Sequence, residues 1–253
     1  MNIPFIESHY ARVHNFGDLF SSDLLNFLGY KLVYVDDYKK SSMSLTGSIL
    51  QMYHQDFSGF VMGSGFIHER FNRSGSNWKV KIIRGPLSKA QCGYTEKCLF
   101  GDPGILASVV FPKRVNKKYR LGILPHCVDY EDVKKLNFEG QVKIISARQS
   151  AKDVALEIQE CDYIASSSLH GLIFADSYGI PNIHIRFGDK LIGGNHKFKD
   201  YYLGMDSNHE FISYSNQSVN DIVAQCKLRF NASYVQKKQN EMLSVYKNVL
   251  SKL

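Results

Sequence analysis

The chain has 253 residues, 44% of them hydrophobic and 22% charged, enough for one large α/β domain or two smaller ones with buried cores. No apolar run approaches the ~20 residues of a membrane span, and the opening MNIPFIESHY lacks the basic start and apolar stretch of a signal peptide, so a cytoplasmic protein is expected. The formal charge of +7 favours anionic partners, but the basic residues are dispersed and not interleaved with aromatics, so nucleic acid is not an expected partner.

Short β-rich apolar runs alternate with helical patterns, which predicts a parallel sheet with helices on its faces. A helix opens near Ser21 and runs to about residue 28. Strands are predicted at 31–35, 59–63, 80–84, 120–125, 142–146, 163–165 and 182–186. The basic, Pro-containing stretch 111–118 divides the chain into halves, 1–114 and 115–253. Ser150 and Asp153 form a variant capping box ahead of Val154, Leu156 and Ile158. A helix over 168–178 stops at Gly179, with Pro181 beyond. From about Asn216 onward the sequence reads as helix, with a break near Asn231.

In open parallel sheets ligands gather at the carboxyl ends of the strands. The predicted strands run there into Gly63-Ser64-Gly65, Arg84, His126, Ala147-Arg148, Ser166-Ser167-Ser168-Leu169-His170 and Gly188-Asp189-Lys190. Small loops, cations and imidazoles on one rim suit an anionic ligand. Ser167 or Ser168 would cap the helix that follows, with His170 in its first turn, where free N–H groups and the helix dipole attract anions. The dipole disfavours a protonated imidazole there, and a bound anion favours it. A plainer reading has His170 satisfy a backbone carbonyl. Arg84 is either an anion ligand or half of a structural ion pair. Asn15 and Asp18 either meet sugar hydroxyls or form a turn and cap. There is no GxGxxG, Walker loop, GxSxG elbow or HExxH, and no carboxylate pair suggests a cation site. Five cysteines without a CxxC pair read as reduced thiols.

Asn15-Phe-Gly-Asp18, Gly63-Ser-Gly65, Arg84-Gly-Pro-Leu-Ser88, Gly101-Asp-Pro-Gly104, Pro125-His126 and the block from Ser167 through His170 and Asp176 to Pro181 occur in order. Together they resemble the polysaccharide pyruvyl transferase family, and within it the bacterial exopolysaccharide ketal-pyruvate transferases. The resemblance implies two Rossmann-like halves around a cleft, similar to GT-B glycosyltransferases. It implies phosphoenolpyruvate as donor, no further cofactor or metal, and a sugar of a surface polysaccharide or lipid-linked glycan as acceptor. Arg84, His170 and Lys190, with Ser168, Leu169 and Gly171, would then hold the donor, although Lys197 or Lys199 fits the lysine role as well. His170, or else His126, would be the general acid, and Asn15, Asp18, Ser64 and Gly65 would face the acceptor. Peripheral contact with the inner membrane face, through Lys227, Arg229, Lys237 and Lys238, is a further expectation. The competing readings are a glycosyltransferase of the same architecture using a nucleotide sugar, and a non-catalytic glycan-binding protein.

Overall fold

The computed structural model describes residues 3–74 and 77–253. In the first half, β1 (Phe5–Ser8) pairs with β2 (Lys31–Tyr34), and β3 (Met43–Ser44), β4 (Phe60–Met62), β5 (Lys79–Ile83) and β6 (Leu99–Phe100) form a second sheet in that order. The two sheets abut, since the Ser42 N–H donates to Glu7 O at 2.8 Å and the Ser8 hydroxyl to Met43 O at 2.7 Å. In the second half β7 (Tyr119–Leu124), β8 (Val142–Ile144), β9 (Cys161–Ser166), β10 (Asn182–Arg186) and β11 (Phe211–Ser213) form one sheet of order β11-β10-β9-β7-β8. Every strand ladder among the described residues is parallel. The protein is α/β with Rossmann-like winding. From β7 the chain goes one way to β8 and the other way to β9. That reversal opens a crevice at the carboxyl ends of β7 and β9.

The helices are α1 (Phe16–Phe27), α2 (Pro86–Gln91), α3 (Ala107–Val110), α4 (Tyr130–Val133), α5 (Ala151–Gln159), α6 (Leu169–Ser177), α7 (His196–Gly204), α8 (Val219–Gln225) and α9 (Ala232–Leu250). The first begins five residues before the predicted start. Asn15, not Ser21, is its cap, accepting from the Gly17 N–H at 3.1 Å. Ser21 lies inside the helix, buried against Thr46. The Ser150 hydroxyl does cap α5, accepting from the Asp153 N–H at 3.1 Å. The C-terminal stretch is broken more widely than predicted, between α8 and α9, because Lys227 pairs with Asn182 there and Asn231 caps the last helix.

Every residue of α6 is buried, which explains why its sequence shows no polar face. The last helix turns a stripe of Val235, Met242, Tyr246, Val249 and Leu250 into the core and crosses back to the first half. There the Tyr246 hydroxyl donates to Met62 O at 2.7 Å and the Gln239 amide to Ile105 O at 2.8 Å. One continuous apolar core holds Phe16, Phe20, Met62 and Ile105 with Leu124, Ile164, Phe174 and Phe198.

Candidate active site

At the crevice the serine run does scaffold work. Ser166 Oγ donates to Leu124 O at 2.7 Å and accepts from the Ser168 N–H at 3.0 Å. Ser167 Oγ donates to Asp129 Oδ2 at 2.7 Å and accepts from the His126 N–H at 2.8 Å. Ser168 occupies the cap position of α6 without a side-chain capping bond, so neither Ser167 nor Ser168 caps through its hydroxyl. Gly171 packs on Ser166, where a Cβ would lie 2.4 Å from Oγ, and its N–H donates to Ser168 O. The N–H groups of Leu169 and His170 have no protein acceptor among the described residues, as expected at a helix start.

Side chains from both halves meet at this helix start. His170 is buried, with Nε2 3.5 Å from Asp102 Oδ1. Its other ring nitrogen lies against Gly17, where a Cβ would stand 1.9 Å from Nδ1, so α1 approaches the imidazole only because that position is glycine. Asp18 follows on α1, beside Gly47, whose φ of +107° and missing side chain leave room for the carboxylate. Burial pushes the Asp18 carboxyl up, while His170 and Lys197 pull it down. Lys197, in the first turn of α7, is 7% exposed and makes no hydrogen bond or ion pair among the described residues. Burial pushes its ammonium down to about 8, against the pull of Asp18. His126 is held neutral: burial, then Lys197 and His170, push it down to about 4. Arg148, exposed and without an ion pair among the described residues, stands near Cys127 at the rim.

The other predicted residues are held differently, Arg84 among them although it is near enough to Lys197 to push its ammonium down. Arg84 is 0% exposed; its guanidinium bonds Asp200 Oδ2 at 3.1 Å, Ser48 Oγ at 2.7 Å and the Phe66 carbonyl, with Gly65 packed flat against it. Asp200 in turn accepts from the Leu87 and Ser88 N–H groups at the start of α2. Arg84 is therefore placed as a structural ion pair that fixes α7. Ser64 is buried on Ser44 at 2.6 Å, and Asn15 is a cap. Lys190 is 60% exposed on a surface pair with Asp132, and Lys199 is exposed too. Of the three candidate lysines, Lys197 is the one in the cleft. The sequence left it undistinguished because only packing separates it from the others. The basic set named for membrane contact is largely engaged within the chain: Arg229 bonds Asn182 O, Lys227 pairs with Glu210 and Lys238 bonds Gly204 O.

Among the described residues no group of three or more His, Cys, Asp or Glu is placed to hold a metal ion, and no helix is long and apolar enough to cross a membrane. The family model described as "Polysaccharide pyruvyl transferase" matches residues 60–188. An uncharacterized protein of Acanthamoeba polyphaga mimivirus is 34% identical over 188 residues, covering 68% of this chain and 66% of that protein. The succinoglycan biosynthesis protein ExoV of Rhizobium meliloti (strain 1021) is 27% identical over 182 residues, covering 66% of this chain and 54% of that protein. The matched region thus spans about two thirds of one relative and about half of the other.

Proposed function

Since the chain belongs to the polysaccharide pyruvyl transferase family, we propose that it moves the pyruvyl group of phosphoenolpyruvate onto two hydroxyls of a sugar in a surface polysaccharide or its lipid-linked precursor. The product is a cyclic ketal, and phosphate is released. The observation that carries this reading is Lys197, a lysine only 7% exposed whose ammonium has no hydrogen bond or ion pair among the described residues, set beside an imidazole and two free amides at the start of α6. A largely desolvated cation gains from a counter-charge, which supports reading the site as one for an anion. The donor carries two. Lys197 with the Leu169 and His170 N–H groups holds one, and Arg148 at the rim meets the other.

His170 gives a proton to the methylene carbon of the enol, and positive charge develops at the adjacent carbon. One sugar hydroxyl attacks there, losing its proton to Asp18, whose raised affinity for protons suits a base. The second hydroxyl then closes the ring, losing its proton to the now neutral His170, as the carbon–oxygen bond to phosphate breaks and its electron pair leaves with phosphate, which takes up the proton held by Asp18. His126, neutral at pH 7, serves as a hydrogen-bonding group rather than as the acid.

The test is incubation with phosphoenolpyruvate and lipid-linked oligosaccharides, following phosphate release together with the acceptor's gain in mass. His170→Ala should lower turnover by about 10²–10⁴-fold, the usual contribution of a positioned acid. Thermal stabilisation by a nucleotide sugar, with none by phosphoenolpyruvate, would favour a glycosyltransferase instead.

A further inference from the structure

The Gly101-Asp102-Pro103-Gly104 turn has no part in the reaction as described, yet it places a carboxylate in the wall of the site. Gly101 takes a φ of +148° at the end of β6, and the Pro103 ring packs on Gly63. This turn belongs to the first half and is pressed onto α6 of the second, where a Cβ on Gly104 would crowd Ile173 and His170. Asp102 is 0% exposed. Its Oδ1 accepts from the Gly104 N–H at 3.0 Å, while Oδ2 is buried with no hydrogen-bond partner. His170 Nε2, 3.5 Å from Oδ1, is likewise buried without a partner. An unpartnered imidazole nitrogen in a dry wall is costly, and the carboxylate beside it is the group that can relieve that cost. Among the described residues His170 is the one cationic group paired with this carboxylate.

We propose that Asp102 is the positioning residue for His170: its carboxylate fixes the imidazole with the proton on Nε2, so that Nδ1, on the edge facing α1, is the nitrogen that delivers a proton to substrate. A neutral imidazole has one donor and one acceptor nitrogen, and a carboxylate beside one of them decides which is which. When Nδ1 gives up its proton to the enol carbon, the ring is left neutral with Nε2–H still directed at Asp102, ready to be recharged. Asp18, Lys197 and His126 also lie near the ring, but among the described residues Asp102 is the charged group paired with it. The assignment of Nδ1 as the acid rests on the pyruvyl-transfer reading above; the tautomer does not.

The experiment uses the full chain, ¹⁵N-labelled in histidine, with the His170 signals identified by their loss in His170→Gln. Long-range ¹H–¹⁵N spectra of the neutral ring should show Nε2–H in the wild type. In Asp102→Asn the oxygen that caps Gly104 and lies 3.5 Å from Nε2 is kept, but the negative charge is lost. An uncharged acceptor already shared with the Gly104 N–H holds the Nε2 proton less strongly, so Nδ1–H should become populated. The same variant should lose about 10²-fold or more in kcat, with the KM for phosphoenolpyruvate nearly unchanged. A merely structural cap would leave tautomer and kcat as they are, and either result overturns the proposal. Where Asp102→Asn fails to fold, the wild-type tautomer decides alone, since Nδ1–H there is incompatible with it. A wild type that releases no phosphate from phosphoenolpyruvate would remove the functional reading, and the tautomer comparison would still stand or fall by itself.

Discussion

Lys197 sets function against stability at a single residue. A lysine only 7% exposed and without an ion pair costs the free protein desolvation energy, so replacing it with an apolar chain of similar length should stabilise the fold. Lys197→Met is expected to raise stability by roughly 1–3 kcal/mol at pH 7, read from urea midpoints, because desolvating an unpaired charge outweighs the lost packing of its stem. The pH dependence has a definite sign. Unfolded, this lysine keeps its proton up to about its ordinary 10.5, whereas folded it releases it near about 8. The unfolded state therefore binds more protons between those values, and wild-type stability rises with pH across that window. The advantage of Lys197→Met should be complete below pH 8 and fade towards 10.5. Phosphoenolpyruvate should stabilise the wild type and leave Lys197→Met unmoved; equal stabilisation of both would take Lys197 out of the donor site. His170 was legible in the sequence because strand, serine turn and helix start are local signals. Lys197 was not, since Lys190 precedes α7 and Lys197 and Lys199 differ only in which way α7 turns them.

Between elements, the buried pair of Arg84 and Asp200 ties β5 and α2 to α7, three residues beyond Lys197. Arg84→Met leaves Asp200 as an uncompensated buried charge and should cost about 3–5 kcal/mol in urea unfolding. That cost separates two roles. A donor ligand would lose binding of phosphoenolpyruvate while the fold kept its stability; a fold-fixing pair loses stability first. Arg84 ended an apolar strand in the sequence, and both roles fitted that observation equally well, because the answer lay 116 residues away at Asp200. Strands followed the same logic. The strands at β5, β7 and β10, of five or six residues each, are long enough to be visible locally. By contrast β3 and β6 are two residues each, and β11 has only partly buried or exposed residues, so pairing defines them and pattern does not. The start of α1 was misplaced for a related reason. Ser21 looks like a cap, but Phe16, Phe20 and Leu24 already form a buried stripe ahead of and around it.

At the scale of the molecule, the cleft draws His170 and Lys197 from the second half and Asp18 and Asp102 from the first, so its geometry depends on the halves staying locked. Three contacts lock them: α9 through Tyr246 on Met62, α7 through Asp200 on α2, and the Asp102 turn on α6. Behind these runs a core shared by both halves, which argues against independent unfolding. The single tryptophan makes this testable. Trp78 is buried in a separate apolar cluster of the first half, with its indole N–H donating to His54 O at 2.9 Å. Its fluorescence therefore reports that half alone, whereas far-ultraviolet circular dichroism reports helices that lie mostly in the second. In urea the two curves should coincide in one transition for the wild type. Removing the lock at α9 with Tyr246→Ala should separate them, because a large void at the junction costs about 3–5 kcal/mol and falls where the halves meet. A wild-type fluorescence transition at clearly lower urea than the circular dichroism would mean that the first half opens by itself, and with it the cleft.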